Sequence, residues 1–300
     1  PLKPARAAQP VAAGAATSAP VFTVSPPLSL YIHFPWCVRK CPYCDFNSHT
    51  VRDGIPETAY IDALIADLES SLPDIWGRRV QTIFFGGGTP SLMTPDALDR
   101  LLTAVRARVN LSPEAEITLE ANPGTVEADR FKGFRDAGVN RLSIGVQSFD
   151  DRQLAALGRI HDTREARRAI DLALRTFERV NIDLMYALPQ QTLTEALADL
   201  DTAIATGVTH LSCYHLTLEP NTPFAAQPPD LPDDDVSADM QEAIEAQLAD
   251  AGFMHYETSA FARPGQQCLH NLNYWQFGDY LGIGAGAHGK LSFHDRVRRD

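Results

Sequence analysis

The chain has 300 residues, 44% of them hydrophobic, which is enough to bury the core of one α/β barrel-sized domain or of two smaller domains. Its 26 basic and 38 acidic residues give a net charge of −12. That charge argues against nucleic acid as the main partner, because affinity for nucleic acid comes largely from neutralised phosphates. No apolar run approaches the ~18 residues that a membrane helix needs, so no membrane span is expected.

Extended and helical patterns alternate along most of the chain. Residues 1–27 are rich in Ala and Pro and lack a continuous apolar segment, so we predict a disordered extension there. Beyond it, the apolar spacing predicts six strands, each followed by helical sequence. The predicted strands span 28–34, 81–85, 116–121, 141–147, 181–186 and 210–216, and the predicted helices span 57–71, 94–106, 126–137, stretches within 152–178, 193–206 and 234–251.

Six strand–helix units in succession imply parallel strands, since each return passes through a helix. We therefore predict an α/β fold, an open (βα)6 partial TIM-type barrel over residues 28–251, with a doubly wound sheet as the alternative. From about Gly252 the sequence becomes rich in Tyr, Asn and Gly. Residues 252–300 are predicted to form an appended region, the start of a C-terminal domain.

Polar and glycine residues follow the predicted strands at their carboxyl ends. A cysteine loop comes after the first strand and three glycines come after the second. Glu120 lies near the end of the third strand, Gln147 ends the fourth, and Asp183 lies on the fifth. Active sites of parallel α/β folds lie at this rim, so we predict that these residues meet in one site.

Cys37, Cys41 and Cys44 place three thiols on one short loop with the spacing Cys-x3-Cys-x2-Cys. Thiolates are soft ligands that suit iron–sulfur clusters and zinc. A structural zinc site needs four ligands, and the nearest further candidates are His33 and His49. Five cysteines are too few for a disulfide scaffold in a chain of this length, so the pattern indicates metal binding in a reducing compartment, and we predict a cytoplasmic protein.

The residues around the cysteines make this prediction more specific. Tyr31-Ile-His-Phe-Pro-Trp36 precedes the loop, and Asp45-Phe46-Asn47 follows its last cysteine. With them the chain resembles the radical S-adenosylmethionine (SAM) superfamily, in the branch of the oxygen-independent coproporphyrinogen III oxidases and their heme-chaperone relatives, from about residue 28 to 298. The resemblance implies a [4Fe–4S] cluster held by three cysteines, with its fourth iron open to SAM, and an electron donor to the cluster.

The same resemblance implies SAM-binding positions at the strand ends. The segment Gly86-Gly-Gly-Thr-Pro90 corresponds to one that meets the methionine amino group, and Asp183 to an acceptor for the ribose hydroxyls. Arg159 corresponds to an arginine suited to the SAM carboxylate, since a guanidinium fork matches a carboxylate. The implied SAM-binding residues are Tyr31, Gly87, Gly88, Thr89, Glu120, Gln147, Arg159 and Asp183.

Two features separate the oxidases from the chaperones within this branch. The oxidases carry a fourth cysteine where this chain has Phe46. The segment His270-Asn-Leu-Asn-Tyr-Trp275 matches the pattern of the HemW-type heme chaperones. Heme iron accepts histidine as a ligand, so His270 is the predicted heme-binding residue, with His288 as the second candidate.

The resemblance therefore implies a heme chaperone that binds heme and passes it to an acceptor protein, for which a respiratory protein is a candidate. An oxygen-independent coproporphyrinogen III oxidase and a structural zinc-loop α/β protein are the alternatives. SAM cleavage is left open as an activity. Oxidation of coproporphyrinogen III is not expected, because Phe46 supplies neither a thiolate nor a proton.

Overall fold

The structure, a computed structural model, describes residues 23–125 and 128–300. Residues 1–22, most of the predicted extension, lie outside the described residues, and so do the first two residues of the helix predicted over 126–137. Residues 23–27 contain neither helix nor strand.

Parallel strands form the centre of the molecule, and all six predicted strands are present in the described residues. The largest difference in bounds is at the third, which begins at Asn110 rather than at residue 116, across a segment that contains Pro113. The strands are β1 (Leu28–Phe34), β2 (Trp36–Cys37), β3 (His49–Thr50), β4 (Arg79–Gly87), β5 (Asn110–Ala121), β6 (Arg141–Gln147), β7 (Arg179–Tyr186), β8 (His210–His215), β9 (Met254–His255), β10 (Ala260–Ala262), β11 (Asp279–Ile283), β12 (Lys290–Ser292) and β13 (Val297–Arg299).

The predicted helices are confirmed, and their starts show why they form where they do. The Thr94 hydroxyl accepts the Ala97 amide, and Asp162 and Thr192 each begin a helix with a capping box that satisfies amides of the first turn. The helices are α1 (Glu57–Ile75), α2 (Pro95–Arg108), α3 (Ala128–Ala137), α4 (Asp151–Ala156), α5 (Thr163–Thr176), α6 (Leu193–Ala205), α7 (Pro223–Ala226), α8 (Asp234–Asp250) and α9 (Leu269–Trp275).

The order of strands in the main sheet distinguishes the two predicted architectures. It runs β13-β12-β11-β1-β4-β5-β6-β7-β8-β10-β9, and the neighbours from β1 to β8 are parallel. Strands that succeed one another in the chain therefore lie side by side in one direction, without the reversal of order that defines a doubly wound sheet. This confirms the open (βα)6 partial barrel.

Residues 252–300 extend this sheet at both of its ends. β9 and β10 form an antiparallel ribbon beside β8. β11 pairs in parallel with β1, and β12 and β13 continue from β11 as antiparallel strands. The region after residue 251 thus shares the sheet of the preceding units, and the division into separate domains stays a prediction.

Helices cover the central strands, which explains their apolar sequences. β6 is buried at every position except Gln147, its last residue. Phe85, Phe131 and Phe134 are among the largest fully buried side chains of the core. A strand buried on both faces reads as a continuous apolar run, as the parallel-sheet prediction requires. Within the described residues no helix has the length and apolar character needed to cross a membrane.

Candidate functional site

The cysteine loop begins where β1 ends and is closed by its own short ladder. β2 and β3 pair with Trp36 opposite His49 and Cys37 opposite Thr50. The Cys44 amide donates to the Cys41 carbonyl oxygen at 3.2 Å, which forms a turn inside the loop. The backbone therefore holds the loop at the carboxyl end of β1, at the predicted rim.

The three loop thiols line one cavity, and each residue is partly exposed there. Burial raises the pKa of the Cys37 thiol, and repulsion from Cys44 and Cys41 adds to the rise, as expected for neighbouring thiols. In residues 23–125 and 128–300 no three His, Cys, Asp or Glu side chains form a ready-made single-ion site. Three soft thiol donors around one cavity fit an iron–sulfur cluster.

The two histidines considered as a fourth zinc ligand are both bonded to Asn47. His33 Nε2 contacts the Asn47 carbonyl oxygen at 2.8 Å, and His49 Nε2 contacts Asn47 Oδ1 at 3.0 Å. The Asn47 amide group also donates to the Ala285 carbonyl oxygen at 3.1 Å. Asn47 therefore connects the cysteine loop to the glycine-rich segment that follows β11.

Gly87 ends β4 and Gly88 follows it, both in positions that other residues do not fit. Gly87 has a φ of +112°, and a Cβ there would lie 2.6 Å from the His33 ring. A Cβ on Gly88 would lie 2.5 Å from the Trp36 carbonyl oxygen. The Gly88 amide donates to the Phe34 carbonyl oxygen at 2.7 Å, so the glycine segment is bonded directly to the start of the cysteine loop.

Two carboxyl groups that are partly exposed to the cavity, Glu120 on β5 and Asp183 on β7, belong to its lining. Burial raises the pKa of Glu120 to about 8, and repulsion from Asp183 contributes. Burial also raises the pKa of Asp183, although the Asn181 amide opposes this by donating to Asp183 Oδ1 at 2.7 Å. A cationic ligand would stabilise both ionised carboxylates, so this part of the lining favours positive charge.

The Arg159 guanidinium joins the cysteine loop to the strand ends. Its Nη2 donates to the Gly145 carbonyl oxygen at 2.6 Å and to Asn122 Oδ1. Its Nη1 lies 3.5 Å from Cys41 Sγ and 3.5 Å from the Tyr43 hydroxyl. A cation is thereby held beside one of the loop thiols.

The end of β6 carries backbone strain. Gln147 has a φ of 71°, in the left-handed region, and the pairing of β6 with β7 shifts register between Gly145 and Gln147. A non-glycine residue adopts this conformation at a cost of about 1–3 kcal/mol, and such residues cluster at functional sites. The strain turns the chain at the rim where the other site residues lie.

The structure brings ten of the twelve predicted site residues into this one cavity, whose volume is about 460 Å³. They are Cys37, Cys41, Cys44, Gly87, Gly88, Thr89, Glu120, Gln147, Arg159 and Asp183. We call this space the cysteine cavity.

Tyr31 lines an adjoining cavity of about 900 Å³, which we call the aromatic cavity. The two cavities share Asp45, Phe46, Gly87 and Glu120 in their linings. A ligand in one would therefore lie beside a ligand in the other.

His270, the predicted heme-binding residue, lines neither cavity and is 1% exposed. The Thr82 hydroxyl donates to Ser29 at 2.8 Å, so it accepts from His270 Nδ1, which lies 2.7 Å away. His270 Nε2 therefore accepts from the Tyr274 hydroxyl, also at 2.7 Å. Burial lowers the pKa of His270 to about 3, so the ring is neutral, and both nitrogens already have partners.

The sequence interpretation did not single out two residues of the cysteine cavity, Asn122 and Tyr43. Asn122 donates to Thr89 Oγ1 at 2.9 Å and accepts from Arg159. Its position in Glu120-Ala-Asn-Pro123 was a usable signal, because the same short segment contains a predicted site residue. Tyr43 lies between two of the cysteines, but nothing in its spacing predicts a contact with Arg159.

Comparison with known proteins agrees with this geometry. The family model of the radical SAM superfamily matches residues 31–203. The heme chaperone HemW of Escherichia coli is 58% identical over 274 residues, which are 90% of this chain and 72% of that protein. The HemW of Haemophilus influenzae is 55% identical over 89% of this chain and 71% of its own length.

Solved structures show the same fold. Coproporphyrinogen III oxidase (HemN) from Escherichia coli, a radical SAM enzyme, superposes with a TM-score of 0.78 at 28% identity over 90% of this chain and 67% of that one. Streptococcus suis SuiB bound to SAM gives 0.53 at 15% identity over 75% of this chain and 48% of that one, which shows the fold alone. Membership of the superfamily implies a [4Fe–4S] cluster and SAM, which the thiols of the cysteine cavity fit. This chain belongs to the radical SAM superfamily, in its coproporphyrinogen oxidase-like branch and within the HemW family.

Proposed function

We propose that this protein is a heme chaperone that binds heme beside a cluster and SAM site and passes the heme to an acceptor protein. The observation that carries the proposal is the pair of adjoining cavities. The cysteine cavity accounts for the cluster and SAM, and leaves the aromatic cavity of about 900 Å³ for a second ligand. The relatives of this chain named as heme chaperones support heme as that ligand.

In this proposal the residues of the cysteine cavity hold and orient SAM. Cys37, Cys41 and Cys44 would hold the cluster, which would supply an electron to SAM when it is reduced. Arg159 binds the SAM carboxylate through its guanidinium group, and Asp183 accepts from the ribose hydroxyls. Gly87, Gly88 and Thr89 meet the SAM amino group through carbonyl oxygens, because the amides of Gly88 and Thr89 already donate to β1 and β2. Gln147 lines the cysteine cavity, and Tyr31 lines the adjoining aromatic cavity.

The pair of carboxyl groups in the cysteine cavity supports a cationic ligand in particular. SAM has a sulfonium and an ammonium group, and ionised Glu120 and Asp183 would be stabilised by them. Burial and Asp183 raise the pKa of Glu120 to about 8, so a cation placed beside it would favour loss of its proton. SAM uptake is then coupled to release of a proton.

The partners follow from the same proposal. A chaperone needs a heme-accepting protein, for which a respiratory protein is the candidate, and the cluster needs an electron donor. The cytoplasmic localisation stays a prediction from the free thiols and the lack of a disulfide pattern. Nucleic acid remains an unexpected partner for a chain of net charge −12.

A second candidate is an oxygen-independent coproporphyrinogen III oxidase, favoured by the structural similarity to the Escherichia coli enzyme. In that case the aromatic cavity would take coproporphyrinogen instead of heme. Phe46 lies where the two cavities meet and is 61% exposed, and its ring provides neither a thiolate nor a transferable proton. This departure favours the chaperone.

The deciding experiment compares two tetrapyrroles, heme and coproporphyrinogen III, on anaerobically reconstituted protein. We expect four irons for each chain and a saturable heme titration. We also expect loss of heme absorbance from the protein when an apo-globin is added as a heme acceptor. Coproporphyrinogen III with SAM and a reductant should stay unchanged. Steady formation of protoporphyrinogen would overturn the chaperone in favour of the oxidase.

A further inference from the structure

The aromatic cavity forms between parts of the chain that are far apart in sequence. Part of its lining comes from β1, the end of β4 and the cysteine loop, and another part from the end of α9 and from the segment from β11 to β13. Its volume of about 900 Å³ lies in the range of sites for cofactor-sized ligands, about 300–1,000 Å³. None of the residues assigned to the cluster fills it.

Aromatic side chains line this cavity and remain open to solvent. Phe277 is 83% exposed and holds a φ of 57°, an unfavourable backbone for a bulky residue. Tyr274 and Tyr280 pack edge to face with ring centroids 4.6 Å apart. Exposed apolar rings at a cavity mouth are costly unless a ligand covers them, and a flat aromatic macrocycle matches their chemistry.

Two histidines line the cavity, and they differ in what their nitrogens do. His33 Nδ1 contacts the Tyr31 hydroxyl at 3.1 Å, and its Nε2 contacts the Asn47 carbonyl oxygen at 2.8 Å. His288 Nδ1 lies 3.2 Å from the Asp300 carbonyl oxygen, which only an N–H group can bond, so Nδ1 has the proton. His288 is exposed, and no hydrogen bond to its Nε2 occurs in the part of the chain that the structure describes. Neutral imidazole with an open Nε2 is the form that ligates iron.

Two basic residues, Lys290 and Arg299, line the aromatic cavity together with His288. They face each other across the β12–β13 ladder. Lys290 Nζ is already bonded to Asp279 Oδ1 at 2.9 Å and to the Phe277 carbonyl oxygen at 2.8 Å. Arg299 is exposed, and among the described residues its guanidinium has no ion pair. It is the cation available to a ligand carboxylate.

Tyr274 explains what the buried His270 does. Its hydroxyl donates to His270 Nε2, and its ring forms part of the cavity wall. His270 is in turn oriented by Thr82 on β4. His270 is therefore a positioning residue, which sets the orientation of a wall ring without contact to the cavity.

We propose that heme binds in the aromatic cavity with His288 Nε2 as the ligand to its iron and Arg299 beside a propionate. The inference rests on the proposed chaperone function and names its site. It replaces the direct ligand role that the sequence alone predicts for His270 with a positioning role.

The test is an anaerobic heme titration of the full chain followed by absorption spectroscopy. His288→Ala should lower heme affinity by at least the roughly 10- to 100-fold that loss of an outer-shell partner costs a metal site, and it should shift the Soret band. Free imidazole should restore the wild-type band in this variant. His294→Ala is the matched control, because His294 is also exposed but lines neither cavity, and it should titrate like the wild type.

His270→Ala and Tyr274→Phe should behave alike, with a smaller loss of affinity and an unshifted Soret band. Arg299→Ala should weaken binding of heme but not of heme dimethyl ester, which has no carboxylate to pair. Wild-type affinity and spectrum in His288→Ala, or an equal loss in His294→Ala, would overturn the site. A wild-type chain that takes up no heme would overturn the chaperone function itself.

Discussion

The two adjoining cavities are built in different ways. The cysteine cavity takes its lining from one loop and from the ends of successive strands, and its polar groups are bonded to one another, as Arg159 is to Asn122 and Gly145. The aromatic cavity is lined by residues of β1, the first strand, and of β11 to β13, the last strands of the chain, and rings such as Phe277 remain exposed to solvent. Bonded polar groups preorganise a site and retain a ligand, whereas open rings stabilise a flat ligand without enclosing it. The difference suits a resident cofactor on one side and a cargo that must leave on the other.

The largest expected effect is loss of the cluster from the cysteine cavity without loss of heme binding in the aromatic cavity. Cys41→Ser should abolish the reconstituted cluster, because the remaining two thiols cannot hold it, while heme titration stays close to that of the wild type. Iron and sulfide content after anaerobic reconstitution is the measurement. Cys213→Ser is the control, since that buried thiol lines neither cavity. Four irons retained in Cys41→Ser would contradict the assignment, and loss of heme binding in the same variant would show that the cavities are one site.

A smaller effect is expected at the cation of the cysteine cavity. Arg159→Ala should weaken SAM binding by about 1.5–3 kcal/mol, the usual range for a lost hydrogen bond to a charged group. Calorimetry on protein whose iron content has been checked measures this directly. Arg164→Ala removes an exposed arginine with a surface partner and should leave the affinity unchanged. Equal SAM affinity in both variants would disprove the carboxylate contact.

The last expected effect is on stability rather than on ligand binding, and it concerns Glu120, which lines both cavities. Its raised folded pKa of about 8 means that the folded chain holds a proton that the unfolded chain releases above its ordinary pKa near 4.5. Stability should therefore fall as pH rises through this window. Glu120→Gln should make the fall shallower in chemical unfolding of the cluster-free protein at several pH values. An identical pH dependence in both proteins would show that Glu120 is not perturbed.

Strand patterns alone predicted that the cysteine loop, the glycines, Glu120, Gln147 and Asp183 meet at one rim, whereas Arg159 was predicted from the family resemblance. The alternation of strand and helix places β4 to β8 in chain order, and parallel strands bring their carboxyl ends to one rim. Each residue such as Glu120 or Asp183 then needs only its place on a strand to reach the site. The contact of Arg159 with Tyr43 was not predictable, because it depends on how the loop folds back across the rim.

The aromatic cavity could not be predicted from sequence patterns, because it depends on contacts between segments that are distant along the chain. β11 is short and contains Gly282, so nothing in its sequence predicts that it pairs with β1, which lies about 250 residues earlier in the chain. A hydrogen bond of His270 is made with Thr82, a residue of β4 that no local motif connects to it. Of the motif around His270, Tyr274 lines this cavity, whereas the histidine itself is buried in the protein interior.

The parallel pairing of β1 with β11 also constrains the order of folding. Leu28 lies opposite Asp279, so nearly the full length of the described chain separates partners in one ladder. Contacts this distant in sequence form slowly and raise the contact order of the fold. During synthesis from the N-terminus, β1 can pair with β4 early but keeps its other edge open until residues 279–283 emerge. The Asn47–Ala285 hydrogen bond can form only after that point. Until then, the cysteine loop lies beside the unpaired edge of β1.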